Sequence, residues 1–202
     1  MAKNRSEHSE YPRPIYDLPG TLNMAWERVV EGAQKSRSAF HLLVLSTVDA
    51  GGRPQSRTVV LREASLEGRW LRFNTDRRSA KFADALRNPS ASVAFYDPEH
   101  KLQVRMSVRL EALGGDVLED IWRNTPSHSR KCYQVRDAPG SPVEAPESVE
   151  FDTASGDEGR ANFASFRAHV ESVEVLALFA NGHRRAHYRY EGEFVSADWV
   201  VP

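Results

Sequence analysis

The sequence predicts a mainly β protein: a barrel of about six strands, Greek-key-like, with helices at its periphery. Two observations carry this. Short apolar runs of strand length recur between residues 40 and 200, separated by closely spaced turn signals. Only a few stretches carry helical periodicity instead.

Thr21 to Arg37 places Leu22, Ala25, Trp26, Val29, Val30 and Ala33 at helical spacing, with Thr21 as the expected N-cap. Phe40 to Val48 reads as a strand. Asp49-Ala50-Gly51-Gly52 is a turn signal, and Gln55 to Arg62 returns as the second arm of a hairpin. Arg69 to Asn74 is the next strand. Ser79 stands where it can cap a short helix over Ala80 to Arg87, which Asn88-Pro89 ends. Two strands follow, Ala91 to Tyr96 and Leu102 to Leu113, joined by Asp97-Pro98-Glu99-His100. Asp116 to Arg123 is helical, with Val117, Leu118, Ile121 and Trp122 on one face. Gln134 to Gly159, rich in Pro, Gly, Ser and acid, is a long loop of the kind that is functional or mobile in a small domain. Phe163 to Phe166 is expected to form a helical turn. Glu171 to Phe179 alternates as a strand, and Arg184 to Tyr190 with Glu193 to Val200 forms a closing hairpin. Residues 1–20, charged and proline-containing, read as an extended arm, and residues 21–202 as a single domain.

Composition narrows the function classes. A chain of 202 residues with 40% hydrophobic and 27% charged residues can bury a sizeable core. A formal net charge of -1 argues against general nucleic-acid affinity, which needs a basic surface. No apolar run reaches the roughly 20 residues needed to cross a bilayer, so no membrane association is expected. One cysteine, Cys132, excludes an internal disulfide and fits a reducing compartment, and a cytoplasmic location is expected. Cys132 itself reads as a small buried side chain. Trp26, Trp70 and Trp122 read as core or interface residues. No metal site is expected, because His183, His187, His128 and Cys132 have no convincing further ligands.

Polar residues planted in strand-like sequence carry the chemistry. They are Arg57-Thr58-Val59-Val60-Leu61-Arg62, Phe73-Asn74-Thr75-Asp76, Ser79-Ala80-Lys81 and Gln103-Val104-Arg105. A phosphate monoester carries nearly two negative charges. Arg binds its oxygens bidentately, Lys adds a point charge, and Ser79 at a helix start stands beside free backbone N–H groups. Arg57, Arg62, Ser79 and Lys81 therefore point to a bound phosphate. Near the C-terminus, alternation puts Arg185 and His187 on one face of a strand, where Arg185 could orient an anion and His187 could assist proton transfer.

These motifs, in this order and with Asn88-Pro89 and Arg185-Ala186-His187-Tyr188-Arg189, resemble those of the pyridoxamine 5'-phosphate oxidase-like flavoproteins, the FMN-binding split-barrel family. Leu45-Ser46-Thr47 and Asn162-Phe163 look closest to the subgroup labelled by its FMN-binding domain. The resemblance covers roughly residues 40 to 202. It implies FMN as cofactor, held at a homodimer interface. Arg57, Ser79 and Lys81 would hold the phosphate, with Thr58 and Arg62 in the same cofactor set. Val59 and Val60 would offer backbone contacts to the ring edge, and Asn74 and Thr75 would sit near the cofactor. Gln103 would hydrogen-bond the flavin, Arg189 would lie at its other edge, and Arg185 and His187 would be catalytic. The vitamin B6 oxidase pattern is incomplete: Ser129 matches, but Ile121 and Thr125 stand where that enzyme grips substrate phosphate with Tyr and Arg. Phe179 stands where it has Trp, and Trp199 where it usually has Arg. The leading expectation is an FMN-dependent oxidoreductase acting on an unidentified small molecule. Pyridoxamine/pyridoxine 5'-phosphate oxidase and a non-enzymatic flavin- or haem-binding module stay open as alternatives.

Overall fold

Alternation of buried and exposed residues runs through nearly every strand of the protein. In a computed structural model, residues 17–153 and 157–202 are described. Four helices and eight strands follow in the order α1 (Leu18–Gln34), β1 (Leu42–Val48), β2 (Pro54–Ser65), β3 (Trp70–Asp76), α2 (Ala80–Arg87), β4 (Ser90–Asp97), β5 (Leu102–Ala112), α3 (Gly115–Asn124), α4 (Ser127–Arg130), β6 (Phe163–Ala177), β7 (Arg184–Glu191) and β8 (Phe194–Val200). The strands form one antiparallel sheet in the order β3-β2-β1-β4-β5-β6-β7-β8. A further pairing of β3 with β6 closes the first six into a barrel, as expected, while β7 and β8 extend from it as a hairpin.

The closure depends on β6, which spans 15 residues. Its first half, Phe163 to His169, pairs with β3, and its second half, Ser172 to Ala177, pairs with β7. On its other edge β5 runs from Phe166 to Ala177. Glu171 has no β5 partner, because Ser107 faces Ser172 and Val108 faces Val170. This β-bulge falls where β6 passes from β3 to β7. It bends the strand and keeps Val170 and Val173 both inside. The expected helical turn over Phe163 to Phe166 is instead the start of β6. Phe163, Ala164, Ser165 and Phe166 are all buried, so the strand shows no alternation there. The turn lies just before it, as a 3-10 helix over Glu158–Asn162.

α1 starts earlier than the sequence predicts. Asp17, not Thr21, is the N-cap: its Oδ1 accepts from the Gly20 N–H at 2.6 Å, and Pro19 sits in the first turn. Residues 17–20 thus belong to the helix entry, while the rest of the expected arm, residues 1–16, lies outside the described residues. Trp26, fully buried, donates its indole N–H to the Tyr190 hydroxyl at 2.8 Å, and Tyr188 donates to the Leu18 carbonyl at 2.8 Å. These bonds fix α1 against the β7–β8 hairpin. Phe40 and His41, expected as the start of a strand, fall in a 3-10 turn over Ala39–His41 that places Phe40 in the core, stacked on Phe95 at 5.0 Å. Gly32 packs against it: a Cβ there would overlap the Phe40 carbonyl.

α2 runs from Ala80 to Arg87 as expected, although the Ser79 hydroxyl makes no cap bond and donates back to the Asp76 carbonyl at 2.6 Å. α3 buries Leu118 and Trp122 but leaves Val117 exposed. Trp122, Tyr133 and Phe163 form a second, aromatic cluster with centroid separations of 5.0 to 6.1 Å. The loop that follows is not free chain. Arg78 donates to the Val135 and Arg136 carbonyls at 3.0 and 2.8 Å, and Val135 bridges Phe151. Cys132 is exposed rather than buried, because Tyr133 takes the inward position of that turn.

Gly32→Ala is expected to destabilise the protein by about 2 kcal/mol or more, since backbone rather than a flexible side chain must yield. Urea denaturation followed by tryptophan fluorescence measures this, with an unchanged midpoint as the contrary result.

Candidate functional site

β2 alternates so that Arg57, Val59 and Leu61 share one face and Thr58, Val60 and Arg62 the other. Val59 and Leu61 are buried in the core, and Arg57 continues their face at the barrel's end. There its guanidinium donates to the Thr47 hydroxyl at 2.8 Å. α2 brings Lys81 close enough that Arg57 disfavours its charge. Burial, and then Arg57, hold the Lys81 ammonium below its ordinary range, while Asp76 opposes this. Arg57 is likewise lowered by burial, partly offset by Asp84. Neither cation has a matched carboxylate. Arg57 makes no ion pair and Lys81 neither hydrogen bond nor ion pair among the described residues. The two nearby acids are engaged elsewhere, Asp76 with Arg78 at 2.7 Å and Asp84 with Arg87 at 3.5 Å.

Thr75 and Ser79, both buried, place hydroxyls 3.3 Å apart in the same corner. The first N–H groups of α2 lie beside them without intrahelical partners. Two desolvated like charges, two hydroxyls and a helix start form a cradle that an anion with several oxygens would neutralise. This donor set fits the phosphate of FMN. Ser79 must turn its single proton from the Asp76 carbonyl to donate to it.

Arg62 and Asn74 are not in this corner. They line a cleft of about 430 Å³ between the β2–β3 outer face and α3, with Arg72, Asp120, Ile121, Asn124 and Thr125. Ile121 and Thr125 were singled out in the sequence. Arg72, Asp120 and Asn124 were not, because the only available signal was the i, i+4 spacing of Asp120 and Asn124 on a short helix.

The remaining candidates lie on the outer face of the sheet. Paired residues run across seven strands as Thr58, Val44, Ala94, Arg105, Glu174, His187 and Asp198. One row over, Gln103 faces Tyr96 and Leu176, and Leu176 faces Arg185. Arg185, His187 and Arg189 share this face, opposite buried Ala186 and Tyr188. Glu174, which the sequence did not single out, binds Arg185 at 2.5 Å and Arg105 at 3.3 Å. Arg189 lies 3.1 Å from His187 Nδ1 and 3.3 Å from Asp198. A guanidinium only donates, so Nδ1 accepts and the His187 proton sits on Nε2. The structure thus gathers Gln103, Arg185, His187 and Arg189 on one face. In the sheet order, β1, β4, β5 and β6 separate Arg185, His187 and Arg189 on β7 from Arg57 on β2.

Comparison with known proteins bears on the fold and the domain that carry these residues. Residues 23–114 match the family described as pyridoxamine 5'-phosphate oxidase, FMN-binding domain. A pyridoxine/pyridoxamine 5'-phosphate oxidase of Pseudomonas entomophila is 36% identical over 88 residues, which are 44% of this chain and 40% of that protein. The match therefore spans less than half of that relative's length. The pyridoxine/pyridoxamine 5'-phosphate oxidase 2 of Arabidopsis thaliana is 29% identical over 153 residues, 68% of this chain and 76% of that protein. Among solved structures, a pyridoxamine 5'-phosphate oxidase-related, FMN-binding protein of Nostoc punctiforme superposes with a TM-score of 0.74 at 25% identity, covering 90% of this chain and 97% of that one. PhzG from Burkholderia lata, solved with tetrahydrophenazine-1-carboxylic acid, gives 0.70 at 21% identity over 98% of both chains, a likeness of fold. The closed six-stranded barrel with its appended hairpin is shared with the Nostoc protein, and residues 23–114 form a pyridoxamine 5'-phosphate oxidase-like, FMN-binding domain.

Proposed function

We propose that the protein is a homodimeric FMN-dependent oxidoreductase acting on a small molecule other than pyridoxamine 5'-phosphate. The Arg57–Lys81 pair carries this reading: two partly buried cations are held together with no matched counter-ion, and the FMN phosphate supplies one. Arg57, Ser79, Lys81 and the α2 N–H groups hold the phosphate. Thr75 would lie beside the bound phosphate group, and the backbone of Thr58, Val59 and Val60 would offer contacts to the ring. Bound FMN supplies the hydride-accepting chemistry. Gln103 would donate a hydrogen bond to the bound cofactor, and Arg189 would supply positive charge that favours its reduced form. Arg185 orients the substrate, and His187 presents Nε2–H to it.

A second copy of the chain supports this arrangement. Leu42, Val44 and Tyr96 are 51, 42 and 50% exposed on the outer face, where Val44 lies directly between Thr58 and Ala94. An apolar stripe of this kind, bordered by polar residues, is the anatomy of an interface core. Covering it with the partner would bring the partner's outer-face set to the flavin. The single cysteine fits a reducing, cytoplasmic setting. Oxidation of pyridoxamine 5'-phosphate is disfavoured by Ile121 and Thr125, which offer its phosphate no charge.

Titration with FMN is expected to give a yellow complex of one FMN per chain. Lys81→Ala should weaken binding about tenfold or more, the loss of one charge-assisted bond. A protein that takes up no FMN would sink the proposal. The affinity should also depend on pH. Lys81 has a lowered pKa without ligand, and a phosphate beside it stabilises the charged form, so affinity declines as pH rises through that lowered range. It declines again below about pH 6, where the phosphate takes its second proton. Lys81→Arg should flatten the alkaline limb, because a guanidinium stays charged.

Val44→Asp is expected to shift the protein from dimer to monomer in light scattering and to weaken FMN binding in parallel. Monomeric wild-type protein carrying FMN at full affinity would refute the shared site. FMN-loaded protein given pyridoxamine 5'-phosphate should form pyridoxal 5'-phosphate no faster than free FMN does, and rapid turnover would restore the vitamin B6 reading.

A further inference from the structure

The phosphate corner contains a carboxylate that works against it. Asp76 ends β3, is only 7% exposed, and accepts the Ser79 hydroxyl on its backbone carbonyl at 2.6 Å. A buried carboxylate beside Lys81 is an obvious partner for that ammonium. Asp76 acts on Lys81 through space, yet the two form no ion pair among the described residues.

Arg78 takes the carboxylate instead. Its backbone N–H donates to Asp76 Oδ1 at 2.8 Å, its Nε to the same oxygen at 3.0 Å, and its Nη2 to Oδ2 at 2.7 Å. This is the two-pronged arginine–carboxylate geometry with a third donor added. The far edge of the guanidinium is held as well. Nη1 donates to the Val135 and Arg136 carbonyls at 3.0 and 2.8 Å, and Nη2 to the Val135 carbonyl at 3.0 Å. Those carbonyls belong to fixed chain: the Arg136 N–H donates to the Glu150 carbonyl at 3.0 Å, and the Asp152 N–H to the Gln134 carbonyl at 2.7 Å. Both edges of the fork are occupied, so Arg78 is not itself a phosphate ligand.

We propose that Arg78 is a positioning residue for the cofactor site: by clamping Asp76 against the Val135–Arg136 backbone, it keeps that carboxylate off Lys81 and leaves the ammonium for the FMN phosphate. The inference rests on the FMN reading above. The other charged and titratable groups around the clamp are these. Lys81 faces Arg57 from β2, and Arg57 faces Asp84, which Arg87 engages. Asp137 lies on the Arg78 side. Tyr133 faces Asp76, with its phenol pushed by burial up to about 12 and so uncharged near neutrality.

Two measurements test the clamp. FMN affinity is followed from about pH 6 to about pH 10 by quenching of flavin fluorescence. The Lys81 ammonium is titrated in flavin-free protein by NMR of isotope-labelled lysine, its signal assigned by Lys81→Ala. In Arg78→Gln the released Asp76 pairs with Lys81, and FMN binding near neutrality should weaken about tenfold. The Lys81 pKa without ligand should rise, so the alkaline decline in affinity starts at higher pH. Adding Asp76→Asn to that variant removes the competitor, which should restore the affinity and bring the Lys81 pKa back down. Asp76→Asn alone should lower the Lys81 pKa and leave affinity near neutrality undiminished. Wild-type affinity or an unmoved Lys81 pKa in Arg78→Gln would overturn the clamp, as would a double variant that binds FMN no better than Arg78→Gln. Where Arg78→Gln does not fold, Asp76→Asn decides: weakened FMN binding near neutrality, or an unmoved Lys81 pKa, overturns the proposal. Wild-type protein that takes up no FMN defeats the cofactor reading, while the Lys81 shifts seen by NMR in that protein uphold the clamp on Asp76. Normal FMN uptake without those shifts defeats the clamp alone.

Discussion

Strand β6 is shared among three neighbours, and the rest of the architecture follows from how it is shared. β5 lines one edge, while the other passes from β3 to β7 at the Glu171 bulge. Pairing with β3 removes the edge that β3 would expose in an open sheet. Release from β3 lets the second half of the strand carry a hairpin away from the barrel. A straight fifteen-residue strand could not do both, because its inside face would reverse with any one-residue slip. The unpaired Glu171 absorbs that slip, so that Val170 before it and Val173 after it both point into the core.

This division places two kinds of charge in two settings. At the barrel's end, Arg57 and Lys81 are partly desolvated and repel each other, a state that destabilises the protein until an anion arrives. On the outer face, the cations are already compensated: Glu174 lies between Arg105 and Arg185, and Asp198 binds Arg189. The first setting favours tight capture of a doubly charged group. The second holds side chains in fixed positions with modest net charge, as suits groups that must meet a neutral ring and a passing substrate.

Much of this was legible in the sequence where local signals were strong. α2 matched its expected bounds because Ser79 and Asn88-Pro89 punctuate it, and the β1–β2 hairpin was marked by Asp49-Ala50-Gly51-Gly52. The meeting of Arg57 with Lys81 was legible because such cations are unusual on the strand and helix that carry them. Other features depended on tertiary context. Phe163 to Phe166 looked non-strand because burial on both faces erases alternation. Thr21 looked like a cap because Asp17 hides behind Leu18-Pro19-Gly20. Arg57 and Arg62 read as one set, yet they fall on opposite faces of β2, five residues apart where the strand period is two.

That separation gives the two arginines different electrostatic surroundings. Two anion sites fed by one strand would compete for FMN if they had equal charge. They do not: the corner joins two unmatched cations with hydroxyls and helix N–H groups, whereas the cleft offers one arginine among engaged acids. A dianionic phosphate would gain most in the corner, where two cations face it. Thr125 ties its hydroxyl to the Ile121 carbonyl at 2.7 Å, so neither residue offers a phosphate a charge or a free proton.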